Sequence, residues 1–366
     1  MKPNHVRRRQ QLRKAIRQSG ANAALITDPV NVTWLTGFDG DSSWLLVQPR
    51  AELLISDSRY EVQIGEQCPG LDCEIRTARH TLPAFAASLL KKARLSSLAL
   101  ESDHLTHAGY ASLADALPAT QVIPARHLVE PLRAIKDEFE IATIRQSIAV
   151  AERAFAVIRA QLTPDQSELQ IAHNLEHQIR KFGGTRCSFD PIVGVGPRGA
   201  LPHGQPSQAT VGQSPFMLID WGASYQGYAS DLTRILVTGK ISPKLRRLYN
   251  IVLDAQHAAI GKIRPGAPLA EVDRAARGLI ADARLGRKFG HGLGHGFGLQ
   301  IHESPFISPR AEGTLQPGMV VTVEPGVYLP DWGGIRIEDD VLVTPDGSQI
   351  LSTLPRELDE CVVPPV

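Results

Sequence analysis

The stretch HGLGHGFGLQIHESP, residues 291–305, sets three histidines among four glycines. His291 and His295 are four residues apart, the spacing that binds zinc on a helix. Each glycine costs a helix about 1 kcal/mol, however, so this stretch is predicted to be non-helical. Glycine-rich backbone lets another group approach closely, which suits a crowded active site. Whether His291, His295 or His302 binds a metal stays open from this stretch alone, because structural histidines are common.

The composition limits the class of protein. The chain has 366 residues, 43% of them hydrophobic, a formal net charge of +1 and four cysteines. Its length allows two or three domains, and its near-neutral charge argues against a nucleic-acid-binding surface. The cysteines form no C-x-x-C pair and are predicted to be reduced thiols. No apolar segment is long enough for a membrane span or a secretion signal, so we expect a cytoplasmic protein that does not bind membranes.

The first part of the chain, residues 1–130, mixes short apolar runs with helical patterns. Strands are predicted at AALIT, SWLLVQ and AELLIS, and a helix at PAFAASLLKKARL. The basic segment HVRRRQQLRKAIRQ is also predicted to be a helix, with Val6, Leu12 and Ile16 on its apolar edge. We place a domain boundary near residues 128–135.

The second part, residues 135–366, follows its own order of elements. Apolar residues recur at helical spacing from Asp137 to Leu162, and a second helix begins at Ser167, whose pairing with Gln170 predicts a capping box. Strands, two more helices and further strands follow. This order predicts a doubled α+β unit. The segment GVGPRG, residues 194–199, matches a dinucleotide-binding pattern, but no helix follows it, so we expect no nucleotide there.

Four acidic residues coincide with predicted strands: Asp220, Asp231, Glu324 and Glu338. A buried acid is costly unless it is paired or binds a metal. A half-exposed sheet would explain any one of them, but four beside a histidine cluster favour a metal site. Four carboxylates balance two divalent cations, and one histidine would complete a set suited to manganese, cobalt or zinc. Two such ions can share a water and lower its pKa.

Several motifs together resemble a known family. LIDWGASYQGYASDLTR, TVEPGVY and GGIRIEDDVLV, with the opening stretch, resemble the pita-bread metallopeptidases of family M24, which include Xaa-Pro aminopeptidase and prolidase. NVTWLTGFDGDSSWLLV and LLISDSRYEVQ resemble the creatinase/prolidase N-terminal domain. The resemblance implies an α+β fold: a creatinase-like α/β domain over residues 1–130, followed by a pita-bread catalytic domain, a pseudo-two-fold αβ repeat, over residues 135–366.

The resemblance also implies roles for individual residues. The implied metal ligands are Asp220, Asp231, His295, Glu324 and Glu338. Asp231 and Glu338 would bridge two ions, Asp220 would chelate one, and His295 and Glu324 would hold the other.

The remaining implied residues surround these ligands. His203, His291 and His302 match histidines that contact substrate or stabilise the tetrahedral intermediate. Arg336 matches an arginine beside the last glutamate of the family pattern, and from there it would orient the acids. Glu324 would carry the proton to the leaving nitrogen.

The expected activity is metal-dependent hydrolysis of the bond before proline, releasing the N-terminal residue from short X-Pro peptides. Manganese is the expected metal, with cobalt and zinc as alternatives, and a homodimer is the expected assembly. A dipeptidase acting on X-Pro dipeptides is the alternative, followed by a creatinase-like hydrolase and a binding-only homologue. Phe306 stands where several prolidases carry an arginine, which favours the aminopeptidase; otherwise Arg310 or Arg198 would recognise the dipeptide carboxylate.

Overall fold

A computed structural model describes residues 3–363 of the chain. The chain divides into two compact units, Met1–Arg133 and Ala134–Val366. The predicted functional limits, 1–130 and 135–366, stay a prediction. None of the described helices is long and apolar enough to cross a membrane.

The first unit is built on one mixed sheet. Its elements are α1 (His5–Gln18), β1 (Ala23–Ile26), α2 (Pro29–Thr36), β2 (Trp44–Val47), β3 (Glu52–Asp57), α3 (Glu61–Gln67), β4 (Cys73–Arg76), α4 (Leu82–Ala93), β5 (Ser97–Glu101), α5 (His107–Ala116), β6 (Gln121–Ala125) and α6 (Glu130–Ala134). The sheet has the order β4-β3-β2-β1-β5-β6, in which β2 runs antiparallel to both neighbours. The three predicted strands and the predicted α4 helix are confirmed.

The basic N-terminal segment forms α1, as predicted, but its buried edge differs from the prediction. Leu12 and Ile16 are buried, whereas Val6 is exposed. Arg8 takes the buried position instead: its guanidinium lies over the Trp34 ring, and its Nη1 donates to the Trp34 carbonyl at 3.0 Å. A long guanidinium side chain can be buried when an aromatic face and a carbonyl satisfy it, which apolar periodicity does not reveal.

The second unit begins with two helices and a set of strands. These are α7 (Glu138–Ala160), α8 (Glu168–Lys181), β7 (Arg186–Cys187), β8 (Ile192–Val195), β9 (Phe216–Trp221), β10 (Ala223–Tyr225), β11 (Tyr228–Ala229) and β12 (Leu232–Val237). Asp137 caps α7, and the predicted capping box of Ser167 and Gln170 opens α8. The strands form two sheets, β11-β10-β7 and β12-β9-β8.

The same plan is then repeated along the chain. The elements are α9 (Pro243–Ile260), α10 (Leu269–Asp282), β13 (Gly294–Gly296), β14 (Glu303–Ile307), β15 (Val320–Val323), β16 (Gly326–Leu329), β17 (Gly333–Arg336), β18 (Asp339–Val343) and β19 (Ser348–Ile350). They form the sheets β14-β13-β15-β18-β19 and β16-β17. Two helices followed by two sheets occur twice, as the doubled α+β unit predicts.

Alternation along β9 divides the core between the two helix pairs. Met217 and Ile219 pack in the cluster that includes α7 and α8, whereas Phe216 and Leu218 pack in the cluster that includes α9 and α10. Since side chains alternate across a strand, Asp220 continues the Phe216 and Leu218 face. Asp220 therefore lies near the C-terminal end of β9, on the face that packs with α9 and α10.

Three of the four singled-out acids do not lie inside strands, so that prediction is wrong for them. Asp231 lies between β11 and β12, Glu324 after β15, and Glu338 between β17 and β18. At each position the chain leaves one sheet and enters another. Their main-chain N–H groups bond outside their own strand pairs: that of Asp231 to the Asp340 carboxylate, that of Glu324 to Leu293 and that of Glu338 to Thr233.

The opening stretch is non-helical, as its glycines predict. β13 pairs with β14 and β15, and a Cβ on Gly294 would lie 2.1 Å from the Thr322 carbonyl oxygen. The GVGPRG segment begins as the end of β8 and continues into a short 3-10 helix, Gly196–Ala200. A Cβ on Gly194 would lie 2.6 Å from the Gly199 Cα, so close backbone packing accounts for these glycines.

Candidate metal centre

Three carboxylates meet at the sheet crossings. Asp220, Asp231 and Glu338 each present a ligand atom within 4.8 Å of the others, and all three side chains are buried. Asp220 Oδ1 and Glu338 Oε1 are buried, and neither has a hydrogen-bond partner among the residues that the structure describes. Buried carboxylate oxygens are normally satisfied, so these two mark a position suited to a cation.

The electrostatics of the cluster point the same way. Burial, together with repulsion from Glu338, raises the pKa of Asp231 well above its usual range. Burial and the neighbouring Glu324 do the same to the pKa of Glu338. Burial raises the pKa of Asp220 despite the opposing Arg336 guanidinium, and raises that of Glu324 to about 8. Four acids that resist ionisation beside one another favour a compensating positive charge.

His295 completes the cluster, whereas the other two histidines of the opening stretch have different surroundings. Its Nδ1 lies 3.1 Å from the Gly296 carbonyl oxygen, so this nitrogen carries the proton. Its Nε2 lies 3.4 Å from Glu324 Oε1 and 3.6 Å from Asp231 Oδ2. Burial lowers the pKa of His295 to about 4, which keeps the imidazole neutral, as a metal ligand must be.

His291 has both ring nitrogens engaged away from the acids. Its Nδ1 lies 2.8 Å from the Gly292 carbonyl oxygen, and its Nε2 lies 2.9 Å from the Tyr328 hydroxyl. His302 is exposed, with its ring centroid 4.4 Å from that of His295. The structure therefore groups His295 with the four acids and leaves His291 and His302 beside them.

Arg336 lies behind the acids and links two of them. Its Nη2 donates to Asp220 Oδ2, and its Nη1 donates to the Tyr328 hydroxyl at 2.7 Å. Its Nε donates at 3.0 Å to the Thr233 hydroxyl, which in turn donates at 2.6 Å to Glu338 Oε2. Such contacts fix the direction in which each carboxylate presents its remaining oxygen.

Sequence reasoning missed several of these supporting groups. Thr233 and Tyr328 connect Arg336 to the cluster, while the Thr322 hydroxyl donates to Glu324 at 3.2 Å and accepts from the His295 N–H at 3.1 Å. Threonine and tyrosine are ordinary strand residues, so nothing in their residue type signals this role. Thr322 lies two residues before Glu324, so alternation places both on one face of the strand. This pattern is the signal that could have identified Thr322.

A cavity of about 590 Å³ opens onto the cluster. Its wall includes the five residues of the cluster, Arg336 and the histidines His203, His291 and His302. Phe189, Ile192, Ile301 and Phe306 give the wall an apolar side. A concave, partly apolar space with a few convergent polar groups is typical of a small-molecule or peptide site.

The residues present fit a pair of divalent ions. Four carboxylates and one neutral imidazole line one cavity, and two of the carboxylates keep a buried oxygen that no described residue satisfies. An oxygen-rich set with one nitrogen suits manganese, cobalt or zinc.

Comparison with known proteins places the chain in a family. Residues 142–345 match Metallopeptidase family M24, and residues 8–135 match the Creatinase/Prolidase N-terminal domain. The uncharacterized peptidase YqhT of Bacillus subtilis is 37% identical over 95% of this chain and 98% of its own length.

Two solved structures are similar over nearly all of both chains. An Xaa-Pro dipeptidase from Bacillus anthracis has a TM-score of 0.92 and 37% identity, over 97% of this chain and 99% of its own. An X-Pro aminopeptidase from Thermotoga maritima has a TM-score of 0.86 and 34% identity, over 94% of this chain and 99% of its own. The predicted fold class, a creatinase-type N-terminal domain followed by a pita-bread domain, is confirmed. The chain belongs to metallopeptidase family M24.

Proposed function

We propose that this chain hydrolyses the peptide bond before proline in short peptides, using two divalent metal ions. The observation that carries the proposal is the buried cluster of Asp220, Asp231 and Glu338, which lines a peptide-sized cavity and includes two buried oxygens, Asp220 Oδ1 and Glu338 Oε1, that no described residue satisfies. The preference for proline is supported by the two similar structures, one an Xaa-Pro dipeptidase and the other an X-Pro aminopeptidase.

The proposed ligands divide between the two ions. Asp231 and Glu338 would be shared by both ions, Asp220 would hold one, and His295 with Glu324 would hold the other. When bound, the ions polarise the scissile carbonyl and lower the pKa of a water, which supplies the nucleophile near neutral pH. Manganese is the proposed metal, because the ligand set is rich in oxygen.

The chain's own groups would orient the substrate and move the proton. His203 and His302 stand in the cavity wall, where an imidazole N–H can donate to the oxygen that gains negative charge. Glu324 also lies in that wall and would carry the proton from the attacking water to the proline nitrogen. His291, held by Tyr328, would contact the substrate from the side of β16.

The proposal is tested by one pair of substrates and one chelation step. Ala-Pro-Ala and Ala-Ala-Ala differ at the residue after the scissile bond, and we expect the manganese-loaded protein to cleave only the first at an appreciable rate. Activity is expected to disappear with a chelator and return with manganese. Equal cleavage of both peptides would overturn the proline preference, and undiminished cleavage in the chelator would overturn the metal requirement.

The finer proposal is that the enzyme is an aminopeptidase that accepts residues after proline. Among the described residues that line the cavity, the only guanidinium belongs to Arg336, which is committed to Asp220, Tyr328 and Thr233. Phe306 is 56% exposed in the same wall and offers an apolar surface instead of a cation. A free carboxylate is best recognised by a bidentate arginine, so this wall suits a longer peptide.

A dipeptidase is the second candidate. The Bacillus anthracis structure, an Xaa-Pro dipeptidase, resembles the chain more than the aminopeptidase structure does, by both identity and TM-score. The two arginines predicted to read a dipeptide carboxylate lie elsewhere: Arg198 donates to Glu168 and to the Gln205 carbonyl, and Arg310 is exposed outside the cavity wall. The homodimer and the cytoplasmic location stay predictions.

A further inference from the structure

Glu168 is a fully buried carboxylate outside the metal cluster, at the first position of α8. Its Oε1 accepts a hydrogen bond from the Val195 N–H at 2.8 Å, and its Oε2 accepts one from Arg198 Nε at 2.7 Å. Oε2 also accepts from the main-chain N–H and the hydroxyl of Ser207, at 2.8 and 2.7 Å. Four donors from three points of the chain therefore converge on one side chain.

These three points surround the segment that carries His203, which we term the His203 loop (residues 196–206). Val195 precedes the loop and Ser207 follows it, so one carboxylate ties both ends together. Arg198, near the start of the loop, also donates to Glu168, and its Nη2 donates at 2.5 Å to the carbonyl two residues beyond His203. Glu168 therefore holds both ends of the loop and one residue within it.

The start of α8 adds main-chain contacts to this anchor. The Glu168 N–H donates to the Ala209 carbonyl at 2.9 Å, and the Leu169 N–H donates to the Ser207 carbonyl at 3.0 Å. N–H groups in the first turn of a helix have no partner within the helix, so they are available to hold a loop. The side chain and the main chain of one helix start therefore hold the segment that follows His203.

The loop forms part of the cavity wall. Pro202, His203 and Gln205 all line the cavity that opens onto the acid cluster, and the Pro202 carbonyl lies 3.5 Å from Arg336 Nη2. His203 itself is exposed, so its direction depends on the loop backbone more than on packing around the ring. A displacement of the loop would move this imidazole relative to the reacting carbonyl.

We propose that Glu168 is a positioning residue that sets His203 in the cavity wall for catalysis, and this inference rests on the proposed role of His203. Glu168 touches neither the metal ligands nor the cavity, and its effect on turnover passes through the loop. An ångström-scale misplacement of a catalytic group is costly in rate, which makes such an anchor effective at a distance.

The chemistry of the four contacts selects the substitution to make. All four groups that reach Glu168 are donors, and a carboxylate accepts at both of its oxygens. The substitution Glu168→Gln keeps the shape, but it turns one oxygen into an N–H₂ group that faces donors. Glu176→Gln is the matched control, since Glu176 lies on the same helix and pairs only at the surface with Arg180.

Hydrogen exchange of the metal-loaded protein tests the anchor without reference to catalysis. In Glu168→Gln we expect amide exchange across residues 196–207 to accelerate by at least about tenfold, because the loop opens more readily. We expect exchange in β9 and β18 to stay unchanged, as it should throughout Glu176→Gln. Unchanged exchange in the His203 loop of Glu168→Gln would overturn the anchor.

A double-mutant cycle tests the catalytic consequence. We expect Glu168→Gln to lower kcat by between about 10-fold and 10²-fold, with the metal content and KM little changed. Added to His203→Ala, the same substitution is expected to lower kcat by less than about twofold, because its effect passes through His203. Multiplicative losses in the double variant would overturn the positioning role. If His203→Ala alone leaves kcat intact, the role of His203 fails, while the exchange result still reports on the anchor.

Discussion

Glu338 and Asp339 are consecutive buried acids that face opposite surroundings. Asp339 Oδ1 accepts from Arg234 Nη2 at 2.7 Å and from the Ser352 hydroxyl at 2.6 Å, and its Oδ2 accepts from Gln256 Nε2 at 3.0 Å. Glu338 Oε2 accepts a hydrogen bond from Thr233, and its Oε1 has no partner within residues 3–363.

The difference separates an acid whose oxygens are all bonded within the fold from one that keeps a buried oxygen unbonded. Asp339 sits opposite a buried guanidinium, so its charge is compensated within the protein. Glu338 sits among Asp231, Glu324 and Asp220, so its charge adds to a repulsive cluster. Burial alone therefore does not distinguish a structural acid from a functional one. The distinction depends on whether each carboxylate oxygen has a hydrogen-bond partner.

The largest expected effect is the loss of a bridging charge. We expect Asp231→Asn and Glu338→Gln each to lower kcat by roughly 10³-fold or more, because the metal pair is lost with the bridge. Elemental analysis and steady-state kinetics on each purified variant measure this. Either variant with two ions and near-normal kcat would show that the cluster is not the metal site.

Substitution of the neighbouring acid, Asp339, is expected to lower stability and to leave metal binding intact. Asp339→Asn leaves the Arg234 guanidinium buried without its counter-charge, and we expect a loss of about 3–5 kcal/mol in the free energy of unfolding. Metal content is expected to stay normal in the folded protein. Asp254→Asn, at an exposed position of α9, is the control. Denaturant unfolding and elemental analysis check both; lost metal with unchanged stability would reverse the assignment of the two acids.

The histidines are expected to divide in the same manner. His295→Ala removes a proposed ligand, so metal and activity are expected to fall together. His203→Ala and His302→Ala are expected to keep the metal while kcat falls by about 10²–10³-fold, as for loss of a donor to an oxyanion. Metal content measured beside kcat separates the classes. Metal loss in His302→Ala would mean that the wrong histidine of residues 291–305 has been assigned.

The cluster acids are also expected to make the metal-free protein sensitive to pH. Glu324 has a folded pKa raised to about 8, so the folded state holds a proton that the unfolded state releases near pH 4.5. Stability from this group is present below about pH 4.5 and is lost as pH rises toward 8.

Denaturant unfolding in a chelator measures this loss across that range. The metal-free protein is expected to lose at least about 1.4 kcal/mol more than the manganese-loaded protein, the equivalent of one pKa unit. Equal pH dependence of the two forms would contradict the idea that the metal relieves the repulsion.

The smallest expected effect concerns the far end of the substrate. Phe306 cannot pair with a carboxylate, so kcat/KM is expected to be at least about tenfold higher for X-Pro-Y tripeptides than for X-Pro dipeptides, or roughly 1.4 kcal/mol. One manganese-loaded preparation assayed with both substrates measures the ratio. Faster cleavage of the dipeptide would establish the dipeptidase alternative.

The sequence predicted the helices and strands better than the positions at which strands end and the chain passes from one sheet to another. Helical spacing located α7, and the motif acids Asp220, Asp231 and Glu338 do converge. A period of two could not reveal that Asp231 and Glu338 lie where the chain changes sheets, because alternation continues across the break.

The supporting residues were hidden for another reason. Glu168 has the residue type and position of an ordinary acid in the first turn of a helix. Such an acid is expected to be exposed and to stabilise the helix through its interaction with the helix dipole. Its role depends on Val195, Arg198 and Ser207, which reach it only in the folded chain. Contacts between residues distant in sequence leave no local pattern to read.

The central claim is that the buried acids form a dinuclear metal centre on which turnover depends. Elemental analysis of the purified chain, paired with kcat for an X-Pro-Y peptide as manganese is titrated into chelator-treated protein, tests it most directly. We expect activity to rise with manganese and to level off at two ions per chain. Full activity in protein that contains no transition metal would contradict the claim.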